Sequence, residues 1–175
     1  MGITYYIDGY NVLHQWDEFR KPPPMDFEAA RDAFIALVSR FCTTAGCRAV
    51  IVFDGRGRHL HRTEPEQYPG GVDVLYAPGH SSADSVIERS IYLQPSRKLD
   101  LVVVSGDRGI RDLCVALGAL AMGPRNFLDT VRESLNNASR NLTQTAQRHT
   151  RTMLEERLDT GSLNRLRAWR RRLEK

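Results

Sequence analysis

The chain has only three cysteines among its 175 residues, Cys42, Cys47 and Cys114, and an odd count closes no full disulfide set. No CxxC and no His/Cys spacing accompanies them, so they read as reduced, packed thiols. Long apolar runs are also missing, which excludes a membrane-spanning helix. The N-terminus shows neither the basic region nor the apolar stretch and cleavage site of a signal peptide, so a cytoplasmic protein with no membrane partner is expected. Several phosphate and acyl-transfer signatures are absent too. There is no Walker A sequence, no GxGxxG after the first strand-like run and no GxSxG elbow, and "GRGRH" at 55–59 opens no helix. "DGYN" lacks the second acid of an aspartyl-phosphate-forming phosphatase. A receiver-type domain would need an acidic pair after the first strand and a lysine near the last.

What is present is unevenly charged. Residues 140–175 hold ten Lys or Arg against four acids, a balance of +6, which leaves −2 for residues 1–139 of the chain's +4. A near-neutral body with a basic tail points to a polyanionic partner, nucleic acid ahead of membrane. A solvated helix whose arginines serve solubility has the same charge. We therefore expect a domain over 1–138 and a basic helical extension over 139–175.

Hydrophobic periodicity alternates between two types. Strand-like runs occupy 3–7 (ITYYI), 49–53 (AVIVF), 72–77 (VDVLYA), 100–104 (DLVVV) and 119–122 (ALAM). Helical spacing occupies 26–45, with Phe27, Ala30, Phe34, Leu37, Val38 and Phe41 on one face after Pro22-Pro23-Pro24. It recurs over 82–93 (Val86, Ile87, Ile91) and 109–117 (Ile110, Leu113, Val115, Leu117). From about Phe127 the chain reads helical to its end, with a break at Asp159-Thr160-Gly161-Ser162 and a last helix holding Leu163, Leu166, Trp169 and Leu173. Near-continuous apolar strands belong to a parallel sheet covered on both faces. The expected fold class is α/β, a three-layer α/β/α sandwich with a mostly parallel sheet. Residues 55–71 read as an irregular crossover or a lid.

Acids stand where those strands end. The first run stops at Asp8, the second at Asp54 in "VIVFDG", and the fourth leads through "VVVSGD" to Asp107. In "SSADSVIE", Ser81 or Ser82 can cap a helix, which puts Asp84 in its first turn and Glu88 one turn on. Parallel sheets bind ligands beyond the carboxyl ends of their strands, so Asp8, Asp54, Asp84 and Asp107 converge if the third strand runs with the others. Taken singly, Asp54 reads as a turn residue, Asp84 as a helix-start acid and Asp107 as a cap. Taken together, clustered carboxylates repel and raise one another's pKa, and a hard cation with oxygen ligands, Mg²⁺ or Mn²⁺, relieves that. Asp100 starts its strand and belongs to the opposite edge.

These segments carry a resemblance. "YIDGYNVLH", "VIVFDGRG", "SSADSVIE" and "LVVVSGDRGIRDLCVALGA" resemble the successive motifs of NYN domains, PIN-like metal-dependent ribonucleases, and in particular their YacP-like branch. The resemblance covers about residues 3–135; the basic tail lies outside the matched motifs. It implies a PIN-like fold, Mg²⁺ or Mn²⁺ in an acidic pocket and endonucleolytic cleavage of RNA. Asp8, Asn11, Asp54, Asp84 and Asp107 would hold the metal or its waters. It also implies a partner in the ribosome, with mRNA as the RNA.

The expected function is thus a divalent-metal-dependent endoribonuclease acting on single-stranded RNA. Asp8, Asp84 and Asp107 are the catalytic candidates, and Asp54 supports the metal or orients water. Asn11 is a neutral ligand, a phosphate donor or a turn residue. Ser105 orients Asp107, binds phosphate or simply ends its strand. Glu88 and Asp112, a helical turn or more beyond Asp84 and Asp107, stand behind the metal-holding acids or are plain surface acids. Arg108 and Arg111 neutralise phosphates or pair with Asp112 or Glu88. Arg56, Arg58, His59, His61 and Arg62, in a basic loop beside Asp54, suit contact with single-stranded RNA. Tyr10 stacks a base or packs; Trp16 and Trp169 read as packing residues. The rivals are a catalytically weak or inactive RNA- or ribosome-binding protein, and a phosphatase or DNA nuclease on the same edge.

Overall fold

The structure, a computed structural model, describes residues 2–20, 26–55, 65–79, 81–94 and 100–157, the last of these (141–157) as helical backbone only. The chain falls into two compact units, Met1–Leu135 and Asn136–Lys175.

The first unit is built on a six-stranded sheet: β1 (Thr4–Asp8), β2 (Arg48–Asp54), β3 (Glu66–Tyr68), β4 (Val72–Ala77), β5 (Leu101–Val104) and β6 (Leu120–Met122). Their order across the sheet is β3-β4-β2-β1-β5-β6. Every pairing is parallel except that of β3 with β4. The helices are α1 (Gly9–Gln15), α2 (Asp17–Arg20), α3 (Phe27–Ala45), α4 (Ala83–Leu93), α5 (Arg108–Ala116) and α6 (Pro124–Arg157). The second unit, as far as it is described, is the continuation of α6 to Arg157.

The unbroken apolar strands have a physical reason. Alternate side chains of one strand enter different cores. Tyr5 and Ile7 join Ala49, Ile51, Phe53, Val102 and Val104 on the face covered by Val12 and Leu13 of α1, by Phe34, Val38 and Phe41 of α3, and by Phe127, Leu128 and Val131 of α6. Tyr6, Val52, Leu101 and Val103 face the other way, onto Ala83, Ile87 and Ile91 of α4 and Ile110 and Cys114 of α5. All three cysteines are free and buried, as packing thiols should be.

The structure departs from the sequence expectations in four places. Residues 66–68 of the presumed loop form β3, an edge strand too short to show a period. Residues 9–15 are helical, where only a turn was expected; Asp8 caps this helix and Val12 and Leu13 bury it. Phe27, assigned to the buried face of α3, is 52% exposed because it is the helix's first residue. On α5 only Ile110 and Cys114, spaced i,i+4, are buried, while Leu113 and Val115 are exposed. The Pro22–Pro24 stop, the break at Asp159 and the last helix lie outside the described residues.

Candidate functional site

The chain passes from β1 to β2 and β4 on one side, then returns through α4 to β5 on the other side of β1. The carboxyl ends of β1 and β5 are therefore the topological switch point, where an open α/β sheet leaves a crevice. Asp8 ends one of these strands, and Ser105-Gly106-Asp107 follows the other. Gly106 lies against Asn11, and a Cβ there would collide with the Asn11 side chain. Gly9 likewise sits on the Phe53 ring with no room for a side chain, which lets α1 start directly at the end of β1.

Each acid is placed by a helix start. Asp8 Oδ1 accepts the Asn11 backbone N–H at 3.1 Å and so caps α1. Asp54 Oδ1 accepts the Ala83 N–H at 2.9 Å, tying the end of β2 to the first turn of α4. Ser82 is the cap of α4, with its Oγ accepting the Ser85 N–H at 3.3 Å, and Asp84 follows in the first turn. Asp107 caps α5, its Oδ1 accepting Gly109 N–H at 2.6 Å and Ile110 N–H at 3.2 Å. Ser105, fully buried, accepts the Asp107 N–H on its Oγ at 3.1 Å, and Arg111 donates to the Ser105 carbonyl at 2.5 Å. Helix N-termini favour negative charge, so three of them facing one edge help to hold four carboxylates there.

That help is incomplete. Burial pushes the Asp8 carboxyl up to about 6, and the Asp84 and Asp54 charges push the same way against hydrogen bonds from Asn11. Asp84 is raised first by burial, then by Asp107 and Asp54. Asp8 thus feels Asp54 and Asp84, and Asp84 feels Asp54 and Asp107, across the edge. Asp84 Oδ1 is buried without a hydrogen-bond partner, an arrangement that costs free energy unless a cation or water meets it. Among the described residues, however, no three His, Cys, Asp or Glu side chains are grouped as ready ligands for one metal ion. The donor set, all oxygen, suits Mg²⁺ or Mn²⁺, and Mg²⁺ commonly takes only one or two carboxylates and keeps several waters.

A cavity of about 540 Å³ opens beside these acids, lined by Asp8, Tyr10, Asn11, His14, Phe27 and Asp54. His14 and Phe27 were not among the sequence candidates. The missed signal was helical spacing: once 9–15 is a helix, Tyr10 and His14 are i,i+4 neighbours.

The remaining candidates are more scattered. Glu88 is exposed; burial raises the Cys114 thiol, and the Glu88 and Asp84 charges add to that. Arg108 pairs with Asp112 at 3.7 Å on an exposed face, a contact worth little by itself. Arg56, Arg58, His59, His61 and Arg62 lie outside the described residues. No described helix is long and apolar enough to cross a membrane.

Comparison with known proteins agrees with this architecture. The family model of the YacP-like NYN domain matches residues 5–171, running into the basic extension. A curated relative, the protein YacP of Bacillus subtilis, is 26% identical over 141 residues, covering 78% of this chain and 81% of its own. The crystal structure of Rae1 (YacP) from the same organism superposes with a TM-score of 0.65 at 23% identity, over 98% of this chain and 95% of that one. A single-residue variant of that protein gives a TM-score of 0.66 at 24% identity, with 82% of each chain covered.

Proposed function

The chain belongs to the YacP-like NYN domain family, within the PIN-like nuclease superfamily, and from that premise we propose that it is a divalent-metal-dependent endoribonuclease acting on single-stranded RNA. The observation that carries the reading is the coupling of Asp8, Asp54, Asp84 and Asp107 at the switch point, with Asp84 Oδ1 buried and unpartnered. A bound Mg²⁺ or Mn²⁺ would supply Lewis acidity and offset the charge of the phosphodiester.

The residues divide the work. Asp8 and Asp84, the two whose carboxyls are pushed up, would gain most from a cation and would be its principal holders. Asp54 and Asp107 fix the starts of α4 and α5 and add charge from the sides. Asn11 donates its backbone N–H to Asp8 and packs its side chain against Gly106 in the β5–α5 turn. Arg111, anchored on Ser105, and Arg108 supply positive charge for neighbouring phosphates. The basic extension adds affinity that falls with salt.

A second reading, an RNA- or ribosome-binding protein with little chemistry, draws on the lack of a ready three-ligand group among the described residues. A panel of single-stranded RNA, single-stranded DNA and nucleotides, each with Mn²⁺ or with EDTA, separates the readings. The ribonuclease reading expects metal-dependent internal cuts in RNA. Retention of RNA or ribosomes without any cut favours the second reading, and equal cleavage in EDTA refutes the metal mechanism.

A further inference from the structure

The cavity beside the acids has a second, aromatic wall. Tyr10 and His14 supply it from α1, one turn apart, and Phe27 from the start of α3. Phe27 is 52% exposed, whereas Ala30 and Phe34 on the same helix are completely buried. Its ring is nevertheless held in place. Tyr10 and His14 each lie 6.3 Å away, at 76° and 77°, and Phe19 lies 5.2 Å away at 63°. Tyr10 is braced in turn against the buried Phe53, 5.0 Å away at 62°. None of these neighbours stacks parallel on Phe27. The cluster is buttressed edge-on and presents an oriented, half-exposed ring at a cavity.

The two walls together restrict what fits. Among the described residues, no Lys or Arg lines the cavity to hold a phosphate against the aromatic wall. An aliphatic chain would bury the carboxylates and the Asn11 amide against hydrocarbon, at a cost. A neutral aromatic heterocycle with N–H groups on its edge satisfies both walls, and a cavity of about 540 Å³ is of ordinary small-ligand size. We propose that Tyr10, His14 and Phe27 form a nucleobase subsite, in which one unpaired base of the RNA stacks on Phe27 while its phosphate reaches the acidic edge. The subsite rests on the ribonuclease reading for the identity of its ligand. It makes single-strandedness a requirement of the pocket, since a paired base has no exposed face to offer.

The test separates binding from cleavage. Short fluorescein-labelled single-stranded RNAs, intact or with one abasic nucleotide moved along the strand, are bound in millimolar Ca²⁺ and followed by anisotropy. The native chain should lose about five- to hundredfold in affinity when the abasic nucleotide occupies one position, as expected for loss of one base–aromatic stack. Phe27→Ala should show a similar loss on intact RNA and no further loss from the abasic nucleotide. Phe27→Leu, which keeps the apolar packing, should behave like Phe27→Ala, and Phe27→Trp should restore affinity. Undiminished binding in Phe27→Ala, an abasic effect that survives in Phe27→Leu, or no binding of any oligonucleotide overturns the subsite. Cleavage of the same intact RNA in Mn²⁺ is read in parallel. A Phe27-dependent abasic effect without cleavage refutes the ribonuclease reading and leaves the subsite standing; metal-dependent cleavage indifferent to Phe27 does the reverse.

Discussion

Replacing Asp8 by Asn should stabilise the metal-free fold. Asn keeps the capping oxygen for the Asn11 N–H and is as good an N-cap as Asp, so the substitution removes charge with little change of shape. The native carboxyl sits at about 6 against an ordinary 3.8, and each pH unit between the two is worth about 1.4 kcal/mol. Ionised Asp8 therefore costs the fold about 3 kcal/mol. The sign follows from linkage. Below the unfolded value Asp8 is protonated in both states and the native chain matches the variant. As pH rises from about 4 to 6 the unfolded state ionises first, and the native chain loses ground. Above about 7 the gap is constant. In EDTA, Asp8→Asn should gain on the order of 1–3 kcal/mol at pH 8, or roughly 2–10 °C in Tm for a chain of this size, and almost nothing at pH 4. Urea unfolding at a series of pH values measures it. A variant that is less stable at pH 8, or a gap that does not change with pH, would refute the claim that Asp8 is a strained, buried carboxylate.

Other substitutions probe the same edge. Asp54→Ala should be about 1 kcal/mol less stable than Asp54→Asn, because both remove the charge but only Asn can still accept the Ala83 N–H; thermal melts compare them. Gly106→Ala should cost about 1–3 kcal/mol, since its methyl meets the Asn11 side chain. The cost should shrink when Asn11 is already Ala, a coupling that a double-mutant cycle reads. Mn²⁺ should raise the Tm of the native chain by mass action and raise that of Asp8→Asn or Asp84→Asn much less, which differential scanning fluorimetry can follow.

The parts that were legible in the sequence are those where burial is continuous. ITYYI, AVIVF and LVVV are apolar throughout because β1, β2 and β5 are central strands whose side chains fill two cores. A carboxylate that ends such a run, as Asp8 and Asp54 do, or follows it closely, as Asp107 does, stands out in the sequence, and the serines before Asp84 mark it as a helix-start acid. The illegible parts are short or mixed. α1 begins with glycine and offers only Val12 and Leu13 as an apolar stripe, and its capping acid is also the last residue of a strand. β3 has three residues and owes its existence to pairing with β4. Phe27 fits the period of α3, yet periodicity does not report that a helix's first residue overhangs a cavity. The aromatic wall was hidden for the same reason, because it joins residues from two helices of which only one was expected.

The most direct test of the shared acidic site is anomalous diffraction from crystals of the native chain soaked in Mn²⁺. The account predicts a Mn²⁺ peak at the carboxyl edge of the sheet, bonded directly or through one water to Asp8 and Asp84, with Asp54 and Asp107 around it. Metal-dependent RNA cleavage by the same preparation, with no peak at that edge or with Mn²⁺ bound elsewhere, would contradict it.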